Sequence, residues 1–254
     1  MTWSFEARIR RAVELSQKIP AARELLDFYS QVAAFQKSIF ESVRSEGQTD
    51  VQQLAVYFPE LIALSARAAP QPLAAQASTR LQNPTSAREL LRAAWEGGMQ
   101  GGVASDPYDR FFALAVLQPY AEYLASRGDV RAEPESQSCP FCSSRPVAAV
   151  LHPEGQGGKR SFLCALCSTE WPFRRVLCGN CGEENKDQLP VYKTGQFEAV
   201  RVEACDKCHV YIKVVDLTLD GNAVPVVDEL ASVALDIWAQ EQGYSKLETN
   251  LLGM

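Results

Sequence analysis

Four pairs of the form Cys-x-x-Cys dominate this chain: Cys139/Cys142, Cys164/Cys167, Cys178/Cys181 and Cys205/Cys208. They account for all eight cysteines, so every cysteine lies within 139–208 and none in the first 138 residues. Two residues between cysteines let one tight turn aim both sulfurs at a single ion while the turn's N–H groups donate to them. Two such turns supply the four ligands of a tetrahedral site. The count therefore predicts two metal ions per chain, each held by four thiolates.

The gaps between successive pairs, 21, 10 and 23 residues, carry a second signal. Moving the first pair forward by 39 residues lands on the third, and moving the second forward by 41 lands on the fourth. Each copy reads as turn, apolar strands and loop, second turn, then a strand with aromatics (Trp171 and Phe173; Tyr211). A duplicated unit places one ion in each copy. Cys139, Cys142, Cys164 and Cys167 are thus expected to form one site, and Cys178, Cys181, Cys205 and Cys208 the other. Each unit would be a rubredoxin-like or zinc-ribbon hairpin. The rival is interleaved ligation, first pair with third and second with fourth, which the internal repeat disfavours.

Other uses of these cysteines fit less well. The N-terminus, Met1-Thr2-Trp3-Ser4-Phe5-Glu6, has no basic segment followed by an apolar stretch, so a cytoplasmic location is expected. There reducing buffers keep thiols free, and eight cysteines point to metal and not to four disulfides. Redox-active pairs of the thioredoxin kind need a βαβ setting that this region lacks. Cys205-x-x-Cys208-His209 matches a haem-attachment pattern, but haem attachment would need export and would strand Cys178/Cys181. His209 is expected to be a strand residue, and His152 to sit in the loop between two turns. Four sulfurs suit zinc and iron alike. With zinc the sites would be structural, whereas iron could also shuttle an electron. Two histidines without a nearby nucleophile and acid make no triad, so no enzymatic activity is expected.

The first ~130 residues read as helical. One short pattern ends at Pro20, which suits the first turn of the next helix. From Leu25 to Val43 the apolar residues fall at helical spacing, describing an amphipathic helix of about six turns. Ala69-Pro70-Gln71-Pro72 is a break, Thr85 or Ser86 caps a further helix, and the four glycines of 97–102 form a loop without the context of a phosphate-binding motif. Pro107 starts a last long helix that Pro119 should bend or split. A polar segment, 127–138, marks the domain boundary. Beyond it come short β-branched and aromatic runs at 147–151, 162–164, 171–177, 189–192, 200–202 and 210–217, then an amphipathic helix over 226–242 with Val227, Leu230, Val233, Ala234, Ile237 and Trp238 on one face. The expected architecture is α+β: a helical bundle domain over 1–130, four-cysteine modules over 139–177 and 178–218, and a C-terminal helix over 226–243.

Charge narrows the partners. The formal net charge is −6, with 14 basic against 16 acidic residues in 1–137 and 11 against 15 in 138–254. Neither half offers the excess of Lys and Arg that tracking a phosphate backbone requires, so no nucleic acid is expected. No apolar run reaches the ~18–20 residues of a membrane span, so no membrane insertion is expected either. A partner carrying positive charge suits the balance better.

With the cysteine turns in place, the chain resembles the formate dehydrogenase accessory proteins. The resemblance rests on Cys139-Pro140-Phe141-Cys142 followed by Ser144-Arg145-Pro146-Val147, and on Leu163-Cys164-Ala165-Leu166-Cys167 followed by Thr169-Glu170-Trp171. It continues through Arg175-Val176-Leu177-Cys178-Gly179-Asn180-Cys181 and Glu203-Ala204-Cys205-Asp206-Lys207-Cys208, then Tyr211-Ile212-Lys213. The tail also fits, in Asp228-Glu229-Leu230-Ala231-Ser232, Leu235-Asp236 and Glu241-Gln242-Gly243-Tyr244. The resemblance implies a cytoplasmic maturation factor for the catalytic subunit of respiratory formate dehydrogenases, acting before twin-arginine export. It also implies rubredoxin-type iron, with zinc the alternative. Ser143 and His209 stand where the family often has glycine. The rival functions are a rubredoxin-like electron carrier serving that enzyme and a zinc-ribbon binding protein.

Overall fold

A computed structural model describes residues 4–47, 50–80, 86–96, 106–128, 135–155 and 157–254. The glycine-rich 97–102 segment, Thr85 and residues 129–134 of the polar segment lie outside them. Two compact units result, dividing near residue 130.

The first unit is helical. Ser4 caps α1 (Phe5–Lys18) by accepting from the Ala7 N–H, and the chain turns at Pro20 into α2 (Arg23–Glu46). A 3-10 turn over Val51–Tyr57 leads to α3 (Phe58–Ala68), which the Pro70 break separates from α4 (Gln71–Arg80). Then come α5 (Ser86–Glu96) and α6 (Pro107–Arg127). α6 is buried on almost every side from Phe111 to Tyr123, and α2 packs along it, with the Phe28 ring centre 5.8 Å from that of Phe111. A helix hydrophobic all round has to be central, because no face of it can meet water without cost.

Pro119 neither bends α6 sharply enough to end it nor splits it; the helix runs through. Proline has no N–H to give to Ala115 O four residues back, which leaves a buried carbonyl without its donor. Gln36, buried on α2, supplies the donor: its Nε2 lies 3.2 Å from Ala115 O and 2.9 Å from Gln118 Oε1. A second polar contact, the two-pronged pair of Arg8 with Glu122 at 2.8 and 3.1 Å, is equally buried and ties α1 to α6.

The second unit is a sheet with helices on one face. Its strands are β1 (Pro146–Glu154), β2 (Gly157–Cys164), β3 (Glu170–Pro172), β4 (Val191–Tyr192), β5 (Val200–Cys205), β6 (Val210–Asp216) and β7 (Ser245–Lys246). The order is β3-β2-β1-β6-β5-β4, with β7 also paired to β6. Strands β1 to β3 belong to the first cysteine module and β4 to β6 to the second, so both modules share one sheet. The seam is a parallel pairing of β1 with β6, Ala149 opposite Val214 and Leu151 opposite Asp216. Both strands are buried where they pair, which is why 147–151 reads as a continuous apolar run without alternation and 210–216 as one broken only by Lys213 and Asp216.

The C-terminal helix expected over 226–243 is two helices, α7 (Pro225–Ala231) and α8 (Val233–Glu241). Ser232 Oγ donates to the carbonyls of Asp228 and Glu229, and Lys213 Nζ donates to Glu229 O and to Ser232 O. Carbonyls engaged in this way no longer serve one continuous ladder, and the axis breaks. The single apolar face breaks with it: Val227 and Leu230 are buried, whereas Ala234 is exposed and Ile237 is 56% exposed. The whole is α+β. No helix among the described residues is long and apolar enough to cross a membrane.

Candidate metal centres

The fold gathers the cysteines by module. The sulfurs of Cys139, Cys142, Cys164 and Cys167 lie within 4.8 Å of one another, as do those of Cys178, Cys181, Cys205 and Cys208. This is the tandem arrangement and not the interleaved one. In each module the second pair begins on the last residue of the middle strand, Cys164 closing β2 and Cys205 closing β5, while the first pair precedes the first strand.

Each pair sits in the same turn. Ser143 N–H donates to Cys139 O, Gly182 N–H to Cys178 O and His209 N–H to Cys205 O, at 2.8 to 3.1 Å. The residue after each second cysteine has a left-handed backbone: Ser143 (φ 61), Ser168 (φ 53), Gly182 (φ 73) and His209 (φ 53). Only one of the four is glycine, so three carry the strain that an L side chain meets there. Once the chain reverses in this way, N–H groups point at sulfur. Leu166 and Cys167 N–H donate to Cys164 Sγ at 3.4 Å, and Asn180 and Cys181 N–H to Cys178 Sγ at 3.4 and 3.5 Å.

Do these sites fit a metal ion? A tetrahedron of sulfurs with bonds of about 2.3 Å has edges of about 3.7 to 3.8 Å. The second group has edges of 3.7 Å for Cys178–Cys208 and for Cys181–Cys205. The first is slightly tighter, at 3.3 to 3.5 Å. All eight cysteines are free, and these separations are far above a disulfide bond of about 2.05 Å. Burial pushes the Cys164 and Cys178 thiols up, and that of Cys205 up to about 12. Thiols so placed ionise together only if a cation compensates, which is how metal binding becomes part of the folding free energy. Each group could therefore hold one ion, with four protein ligands and no open position.

Neither histidine joins a group. His152 lies on β1, not in a loop, with Nε2 2.6 Å from Glu170 Oε2. His209 is the left-handed turn residue before β6 and not a strand residue, its ring 6.2 Å from that of Tyr244.

Several supporting residues carry no obvious signal in the sequence. A Cβ on Gly179 would lie 2.6 Å from the Phe162 ring, so the third turn closes against the first module only because that position is glycine. Arg145, after the first turn, donates to Asn180 Oδ1 inside the third at 2.7 Å. Phe162 stacks on Phe173 with ring centres 3.9 Å apart, and Trp171 donates to Ser136 O at 2.7 Å. Around the second centre, Lys207 pairs with Glu183 at 2.8 Å; that bond, with the N–H groups of Asn185 and Glu184, holds the Glu183 carboxyl at about 2. Tyr244 donates to Asp206 and lies 3.2 Å from the Tyr192 hydroxyl. On the helix-covered face, Lys213, Lys246, Glu229 and Asp236 form a buried network of two cations and two anions, joined by Tyr211 and Asn250.

Relatives share this layout. Residues 138–175 match the family described as FdhE, central domain, and residues 176–252 the FdhE C-terminal domain. A protein FdhE homolog of Aquifex aeolicus is 30% identical across 98% of this chain and 95% of its own. Another, of Edwardsiella ictaluri, is 35% identical over 64% of this chain and 53% of its own. The crystal structure of the FdhE protein from Pseudomonas aeruginosa superposes with a TM-score of 0.69 at 21% identity, covering 98% of this chain and 95% of that one, which speaks for the fold. The chain belongs to the FdhE family, the formate dehydrogenase accessory proteins that its cysteine turns resemble.

Proposed function

We propose that this chain is a cytoplasmic accessory protein that binds the catalytic subunit of a respiratory formate dehydrogenase and supports its maturation before twin-arginine export. The observation that carries the reading is the pair of closed four-sulfur centres built into one sheet. Four protein ligands at each leave no coordination position for a substrate, so the centres serve binding and not catalysis. Iron is the first choice of metal and zinc the second. The acidic balance of −6 favours a client segment bearing positive charge, which would speed encounter and select the partner.

Co-purification of the catalytic subunit with the wild-type chain is the test. Recovery should fall at high ionic strength and on loss of either centre, through Cys139→Ser with Cys164→Ser or Cys178→Ser with Cys205→Ser. No recovery of any formate dehydrogenase subunit sinks the assignment. A second reading, electron transfer to that enzyme, draws on the exposure of Cys181, which would bring an iron centre to the surface. A redox titration with no reversible step removes it.

A further inference from the structure

The two centres differ in their access to water. In the first, three cysteines are buried and Cys142 is half-buried; in the second, Cys181 is exposed and Cys208 half-buried. The residues inside the turns differ likewise. Ala165 and Leu166 are 8% and 5% exposed, whereas their counterparts Asp206 and Lys207 are exposed. A cleft of about 250 Å³, lined by Cys178, Cys205, Leu189, Val191 and Ile212, lies beside the two buried cysteines of the second group. In the fourth cysteine turn, Lys207 is 59% exposed and pairs with Glu183. A solvated ion pair of this kind contributes little to holding a turn closed.

We infer that the second centre is the point at which this chain exchanges its metal ion with a low-molecular-weight anionic thiol, while the first retains its ion. The inference rests on each group holding one ion. Exchange is ligand substitution without redox change. At a loaded site the incoming thiolate would form a bond to the ion as the bond to Cys181 Sγ breaks, the proton lost by the incoming thiol passing to the Cys181 sulfur. A competing chelator would then replace Cys178, Cys205 and Cys208 in turn, so that the ion leaves. Cys181 is the leaving ligand because it is the most exposed residue of the four. Lys207, exposed next to Cys208 in the fourth turn, supplies a cation that draws an anionic thiol in. Leu166, buried over the first centre, offers neither water nor charge.

The experiment uses the full chain loaded with two zinc ions, a chromogenic chelator in excess, and glutathione as the probe thiol. One ion per chain should pass to the chelator at least tenfold faster when glutathione is present, the other remaining. Pulse alkylation read by mass spectrometry should mark Cys181 and Cys208 first and leave Cys139, Cys142, Cys164 and Cys167 protected. Lys207→Leu, which copies the first centre, should slow the thiol-dependent transfer several-fold; Lys207→Gln serves if the leucine variant misfolds. Two ions leaving at one rate, labelling that begins in the first group, or transfer indifferent to both substitutions overturns the inference and leaves the two-centre reading intact. A preparation that holds fewer than two ions per chain removes that reading as well.

Discussion

The helical unit and the metal unit solve the same problem with different means. In the first, α1, α2 and α6 bury a continuous set of Phe, Leu, Val and Ile side chains, Gln36 of α2 supplies the donor that Pro119 denies α6, and Arg8–Glu122 is a buried ion pair. In the second, helices pack on the sheet and the cysteine turns lie at the ends of its strands. Its order depends on two groups of four sulfurs and on the Lys213, Lys246, Glu229 and Asp236 network. Aliphatic packing tolerates exchange among residues of similar volume, whereas ligation and buried charge do not. Every motif that carries the family resemblance accordingly lies in the metal unit.

The largest effect expected from this contrast is on metal removal. Chelation, or Cys139→Ser with Cys164→Ser, should abolish hydrogen-exchange protection across the turns and strands of the affected module, since metal binding supplies much of the folding free energy of such a unit. Protection in α2 and α6 should persist. Cooperative loss in both units would break the comparison.

Next in size is the buried network. Lys213→Met leaves two carboxylates facing Lys246 alone and should cost about 3 to 5 kcal/mol, as removal of one buried partner does. The pH dependence sharpens this. Burial by itself would raise the Glu229 carboxyl, but Lys213 and Lys246 outweigh it and hold it at about 2. Its folded value is depressed, so its stabilisation is complete above the ordinary value of 4.5 and is lost as pH falls from there toward about 2. Acid also displaces metal in wild type and variant alike. The difference between their denaturation curves therefore reports on Glu229, and it should narrow across that window. A constant difference would mean that Lys213 acts through packing alone.

How much of this was legible follows from the range of each signal. The cysteine turns, the length of α2 and the start of α6 are written in local spacing. The sulfur grouping follows from the internal repeat. The β1–β6 seam is not legible, because it joins residues about 65 positions apart in sequence through two buried, mostly apolar runs. The break at Ser232 escapes as well: a serine inside an amphipathic pattern gives no warning that Lys213, from β6, will take the carbonyls of Glu229 and of Ser232 itself. Gly179 looks like any turn glycine until Phe162 is placed against it.

A smaller effect belongs to the helical unit. Gln36→Leu should cost about 1 to 3 kcal/mol, the usual penalty for a buried carbonyl left without its donor. In combination with Pro119→Ala the cost should shrink, because the new alanine N–H can donate to Ala115 O. The cycle measures that coupling directly. Additive costs would show that Gln36 matters for Gln118 and not for the proline.

The smallest effect is a change of sign between equivalent positions. Ser143, Ser168, Gly182 and His209 occupy one place in four copies of one turn, at φ values between 53 and 73. A left-handed conformation costs an L residue about 1 to 2 kcal/mol. Glycine escapes that cost but loses roughly 0.5 to 1 kcal/mol more chain entropy on folding. Gly182→Ala should therefore destabilise the metal unit by up to about 1 kcal/mol, while Ser143→Gly, Ser168→Gly and His209→Gly should each stabilise it by about 0.5 kcal/mol. Denaturant midpoints of the metal-loaded protein at neutral pH measure all four. The metal-loaded state matters, because in its absence the turns have little to hold them and the four positions lose their common geometry. The serine variants test backbone strain with little side-chain surface at stake. His209 has more at stake, with its ring beside Tyr244. If His209→Gly destabilises while both serine variants stabilise, the histidine ring contributes more through Tyr244 than the turn loses through strain, and the second centre is held partly from outside its own ligands. If all three stabilise alike, strain at the turns is uniform, and the difference between the centres lies in their exposure alone.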